Sequence, residues 1–195
     1  MYKRQSSGPS LNCGLERYDK EAFLVSPFLE SLARPLLVFH GLLAGATIGL
    51  LTHHMVWVWR RDAMLPIRRR QARRFIRLGF IATVLQLGTG LLVYPTYRIR
   101  VRLAHFDQLV QGHVPSAWLS QLFDLKEHSG ALLFAATTAL LLGDLVQDEI
   151  QSHRFPALGR TVHRLIALVA AALAWLATVI GLWISSYHGL GQLPP

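Results

Sequence analysis

The chain has 195 residues, of which 52% are hydrophobic and only 16% charged, and its mean hydropathy is +0.33. A water-soluble domain of this length carries more charge and shorter apolar runs, so composition argues for an integral membrane protein and against an ordinary soluble enzyme. The net charge of +9 does not indicate nucleic acid, because most of the excess arginine flanks long apolar stretches.

Residues 1–35 read as an extracytoplasmic tail. The first twenty are polar, with Gly, Ser and Pro, and form no periodic pattern. Cys13 is the only cysteine, which excludes an internal disulfide, a Cys-x-x-Cys-His haem attachment and an iron–sulfur site made by this chain alone. No apolar core precedes it, so the start is expected to be neither a cleaved signal peptide nor a lipoprotein signal, and the first span is expected to direct insertion. Glu21 to Arg34 mixes apolar residues with two acids. It reads either as a short interfacial helix, broken near Pro27 and leading to Pro35 at the mouth of the first span, or as a tail packed on a partner.

Residues 36–187 read as an all-α, four-helix transmembrane bundle, with spans at about 36–59, 76–97, 128–146 and 165–187 and a short tail at 188–195. The first span carries His40 and His54. Ionisable side chains inside a span are costly and usually functional. Fourteen residues at about 100° each return to within roughly 40° of whole turns, so both imidazoles share one helix face, about 21 Å apart along the axis. His53 is rotated off that face. Gly41, Gly45 and Gly49, at four-residue spacing, are the positions where another helix or a flat macrocycle approaches the backbone. In the second span Gly88 and Gly90 have the same character, Gln86 is a mid-span polar group, and Pro95 is expected to end the helix beside Tyr94 and Tyr97.

Between the first two spans lie Arg60, Arg61, Arg68, Arg69, Arg70, Arg73, Arg74 and Arg77, and between the last two lie Arg154, Arg160 and Arg164. Short arginine-rich connections stay cytoplasmic, which predicts an N-out, C-out topology in a bacterial-type inner membrane. The same cations are expected to meet anionic lipid. Arg98, Arg100 and Arg102 alternate with apolar residues at the start of the outer connection. In an extended segment they share one face, which suits an acidic partner, a haem propionate or phospholipid headgroups. Asp144, near the cytoplasmic end of the third span, reads as a membrane-edge acid with Asp148 and Glu149 or as a proton acceptor in quinone chemistry.

Five of the nine histidines fall at or within spans: His40, His54, His128, His163 and His188. With N-out topology His40, His128 and His188 lie toward the outside and His54 and His163 toward the cytoplasm. Each side then holds histidines from different helices, which is what a b-type haem requires for two axial imidazoles. A small zinc or copper site from His53 and His54 with His163 is the alternative, made awkward by the roughly 100° between adjacent helical residues.

The His40/His54 spacing with Gly45 between them resembles the first ligand helix of dihaem b-type membrane cytochromes, in which two histidines on one helix serve two stacked haems. The resemblance covers one helix of four. The spacing is not repeated: no histidine stands fourteen residues after His128, and His163 and His188 are twenty-five apart. It implies one or two haems b, ligated by His40 with His128 or His188 and by His54 with His163, and electron transfer between the quinone pool and membrane or periplasmic redox subunits. A cofactor-free anchor or assembly subunit of a larger respiratory or photosynthetic membrane complex is the alternative. The sequence shows no phosphate-binding glycine loop and no placeable Ser/His/Asp arrangement, so any substrate chemistry is expected in a partner.

Overall fold

The computed structural model of the chain describes residues 27–60, 66–98, 117–146 and 156–187, and these form four helices: α1 (Pro27–Trp59), α2 (Pro66–Tyr97), α3 (Ala117–Leu145) and α4 (Pro156–Tyr187). A helix satisfies every backbone polar group within its own segment, which is the condition for an isolated strand of chain to cross hydrocarbon. Each of the four is long and apolar enough to do so. Three begin on proline, whose fixed φ suits the first helical position and whose missing N–H is not needed there.

The helices run past the apolar stretches that mark them in the sequence. α1 starts at Pro27 and continues without a break through Pro35. Pro35, expected at the start of the first span, thus lies inside the helix: it gives up one backbone bond, and the turns on either side hold the helix. Pro95 likewise does not end α2, which continues to Tyr97. Arg68 to Arg77 belong to α2 itself, and Arg160 and Arg164 to α4.

Side-chain contacts establish an up-down-up-down order. His54 reaches Ala72 and His40 reaches Gln86, so α1 and α2 are antiparallel. Arg73 meets Asp144 while Tyr94 stacks on Phe123, which makes α2 and α3 antiparallel. Gly143 faces His163 and Gly181 faces Lys126 across α3 and α4. The ring closes where Trp59 and Thr52 of α1 bond Arg164 and Trp175 of α4.

The core is made of small and branched residues at helical spacing. Leu51, Ile76, Leu133 and Leu140 converge on Ala167, Ala170 and Ala174, and a second cluster of Phe123, Ile180 and Ile184 packs near Tyr94. Alanines three and four apart along α4, continued by Ala177, present a narrow buried strip that lets the backbones approach closely. Buried Thr83 and Thr137 return their hydroxyls to carbonyls four residues back, which satisfies them without a partner helix. The outer surface is hydrophobic: Leu42 and Leu91 are each 67% exposed and Leu182 is 68% exposed. Lipid covers such a surface at no cost, whereas water would not.

Candidate functional site

The arginine-rich end of the bundle assembles four polar side chains from all four helices. His54 lies on the inward face of α1, three residues from the core residue Leu51, and is 2% exposed. Its Nδ1–H donates to the Ala72 carbonyl of α2 at 3.0 Å. A carbonyl can only accept, so the proton is fixed on Nδ1 and the Nε2 lone pair is left available. That Nε2 is buried and has no hydrogen-bond partner among the described residues.

His163 of α4 packs edge-on against His54, with ring centroids 5.6 Å apart and planes at 73°. Room for the second imidazole comes from Gly143 of α3, where a Cβ would stand 3.3 Å from His163 Nδ1. The next residue, Asp144, is 4% exposed and accepts from Arg73 Nε at 3.1 Å, while its Oδ2 is buried without a partner among the described residues. The ends of α1 and α4 are joined just beyond. Trp59 Nε1 donates to the Arg164 carbonyl at 3.3 Å, and Arg164 Nε donates to the Val58 carbonyl at 3.2 Å, filling one of the acceptors left open in the last turn of α1.

The opposite end repeats the theme with different groups. His40 Nδ1 lies 3.0 Å from the Gln86 carbonyl and 3.2 Å from Thr89 Oγ1, and its ring rests on Gly90, whose Cβ position is 3.2 Å from Cε1. Lys126 of α3 lies along Gly181 of α4, its Nζ 3.4 Å from the Cβ position. Three polar side chains inside the spans, His40, Lys126 and His163, are thus each seated on a glycine of a neighbouring helix.

Among the residues singled out in the sequence, the structure brings His54 and His163 into ring contact. It places His40 against α2. His128 is exposed and turns its Nδ1 back to the Asp124 carbonyl of its own helix at 2.7 Å. His53 is exposed too, bonded to the Gly49 carbonyl at 2.7 Å and stacked on Phe75. Gly45 is exposed, and a Cβ there would meet nothing within 4 Å; the same open space surrounds Gly41, Gly49 and Gly88. Gln86 offers its backbone carbonyl to His40 and holds its side-chain Oε1 buried. Arg98 is exposed at the end of α2; Arg100, Arg102 and His188 lie outside the described residues.

Sequence reasoning passed over Arg73, Lys126 and the glycine seats. A signal for Arg73 exists: an acid inside the apolar end of one span calls for a cation at matching depth on a neighbour, and Arg73 meets that demand.

Chemically, the His54/His163 pair offers two imidazoles and little else. No group of three or more His, Cys, Asp or Glu able to hold a metal ion occurs among the described residues. A porphyrin brings its own four nitrogens and asks the protein for only one or two axial ligands. The buried unpartnered Nε2, held in orientation by a backbone acceptor on Nδ1, is also what an axial ligand needs from its surroundings. The donor set fits a haem.

The fold and site define a multi-pass membrane protein whose four-helix bundle carries paired histidines in its interior. Comparison with protein-family models, with curated proteins and with solved structures finds no match.

Proposed function

We propose that the chain is a b-type cytochrome or cytochrome-like subunit, with His54 and His163 as the residues that would hold the haem at its arginine-rich end. The carrying observation is the buried His54 ring, anchored through Nδ1 on Ala72, with an Nε2 that has no hydrogen-bond partner among the described residues, and packed edge-on against His163. When bound, haem iron supplies one-electron redox chemistry. The protein's own part is ligation, orientation and exclusion of water, with the Arg73–Asp144 pair setting the local field. In this reading His40 is the ligand candidate at the other end, as its Nδ1 is fixed in the same way on the Gln86 carbonyl. Electrons pass between the quinone pool and a membrane or periplasmic redox subunit.

The reading includes placement in a bacterial-type cytoplasmic membrane with both termini outside, supported by the arginines gathered at one end of the bundle. Arg98, Arg100 and Arg102 then belong to an outer docking strip for an acidic partner. A second reading, a cofactor-free anchor subunit, draws support from the open space over Gly41, Gly45 and Gly49, a face on which a helix of another subunit can lie.

A reduced-minus-oxidised visible spectrum of protein purified from haem-replete cells separates the two. Absorption of a b-type haem lost in His54→Ala and His163→Ala supports ligation by that pair, and its persistence in both variants with loss in His40→Ala moves the haem to the other end. Wild-type protein without any such absorption rejects the cytochrome reading and leaves the anchor.

A further inference from the structure

The two sides of α2 treat arginine differently. Arg73 lies between the face that turns Ile76 and Gly79 into the bundle and the outer face, half-buried, and Asp144 neutralises it. Arg70, Arg74 and Arg77 stand at i, i+4 and i+7, which at about 100° per residue puts them within roughly 60° of each other on the face turned away from Ala72, Ile76 and Gly79, with Arg73 at its edge about 40° from Arg77. All three are exposed, and none is paired with a carboxylate among the described residues. Below them the same face continues as Ile81, Val84, Leu85 and Leu92, every one of them exposed.

Depth decides what such a face requires. From Leu78 to Tyr97 α2 carries no charge, and twenty residues at 1.5 Å make about 30 Å, the thickness of the hydrocarbon core. Arg77 therefore stands at the hydrocarbon boundary, with Arg70 about 10 Å further out. Side chains lean toward the N-terminus of their helix, and the N-terminus of α2 is the arginine end, so all three guanidinium groups climb toward the headgroups. A guanidinium at that boundary with lipid on its open side must find an anion. Trp57 and Trp59 lie at the same end, with the Arg60 guanidinium 5.5 Å from the Trp57 ring centre, as expected of residues at headgroup level.

We infer that Arg70, Arg74 and Arg77 form a binding site for the phosphate of an anionic phospholipid, whose acyl chains lie along Ile81, Leu85 and Leu92. The inference is independent of the haem reading. Planar forks suit phosphate oxygens, and three cations in two turns exceed what a zwitterionic headgroup neutralises.

The test uses the full chain in detergent micelles, with energy transfer from its tryptophans to dansyl-labelled phosphatidylglycerol or dansyl-labelled phosphatidylcholine. Wild-type protein should prefer the anionic lipid. Arg70→Gln/Arg74→Gln/Arg77→Gln should lower that preference roughly a hundredfold, from the loss of three near-surface cations, while the corresponding triple lysine variant retains most of it. Arg74→Gln alone, expected to lose about fivefold, covers the case of a triple variant that does not fold. Equal binding of both lipids by wild type, an undiminished preference in the glutamine variants, or displacement of the lipid by millimolar inorganic phosphate would each overturn the inference.

Discussion

The Arg73–Asp144 pair makes a prediction that depends on which partner is removed. The Asp144 side chain is 5% exposed and the Arg73 side chain 29%. Replacing Arg73 with leucine strands a nearly buried carboxylate with one oxygen already unpartnered among the described residues. Removing one member of a buried pair costs about 3–5 kcal/mol, and the burial of Asp144 places this variant in that range. Replacing Asp144 with leucine leaves an arginine that is already partly exposed and whose long stem can carry its head group to the interface. The loss there should be about 1–2 kcal/mol. The double variant Arg73→Leu/Asp144→Leu should recover to within about 1 kcal/mol of wild type, since apolar replacement of a buried pair is often near neutral. Thermal or SDS-induced unfolding followed by helical circular dichroism in bicelles reads all three. Equal losses in the two single variants, or a double variant as unstable as Arg73→Leu, would refute the argument that an uncompensated carboxylate dominates.

Gly79 stands where a Cβ would be 2.9 Å from Cδ2 of the buried Leu51, so Gly79→Val should cost about 1–3 kcal/mol by overpacking; Gly45→Ala, in open space, should be neutral or slightly stabilising in the same unfolding assay. Leu140 is fully buried at the meeting of α3 with the alanine strip of α4, and Leu140→Ala should cost about 2–5 kcal/mol, whereas Leu182→Ala on the lipid face should stay within about 1 kcal/mol. Trp175→Phe removes the bond to Thr52 and should cost about 0.6 kcal/mol, the usual worth of an interhelical hydrogen bond in a membrane, with a loss above about 2 kcal/mol arguing for a larger role. In a Cys13→Ser background, a cysteine replacing Arg70 should resist an impermeant thiol reagent applied to intact spheroplasts and react after lysis; labelling from outside would invert the proposed topology.

Much of the architecture is legible in the chain alone because the bilayer imposes it. Four apolar runs of sufficient length require four helices, since no other open segment satisfies its backbone in hydrocarbon. Hydropathy does not mark where those helices stop: Arg68 to Arg74 and Asp124 to His128 look like connections, yet each extends a helix because backbone hydrogen bonding continues at the interface whether or not the side chains are apolar. Pro35 and Pro95 read as boundaries but sit inside helices, where neighbouring turns carry the loss of one bond.

Helical periodicity also fixes His40 and His54 on a common face of α1, a relation within one rigid element. What each histidine meets is a relation between elements, and it depends on register, which no single helix encodes. Packing sets His54 beside His163 and His40 beside Gln86 and Thr89, while His128 turns back on its own turn. The glycines show the same division. Gly41, Gly45 and Gly49 have the spacing of a packing stripe but face open space. Gly79, Gly90, Gly143 and Gly181, which share no motif, are the ones pressed against Leu51, His40, His163 and Lys126. A small residue permits close approach, but only the facing helix determines whether anything approaches.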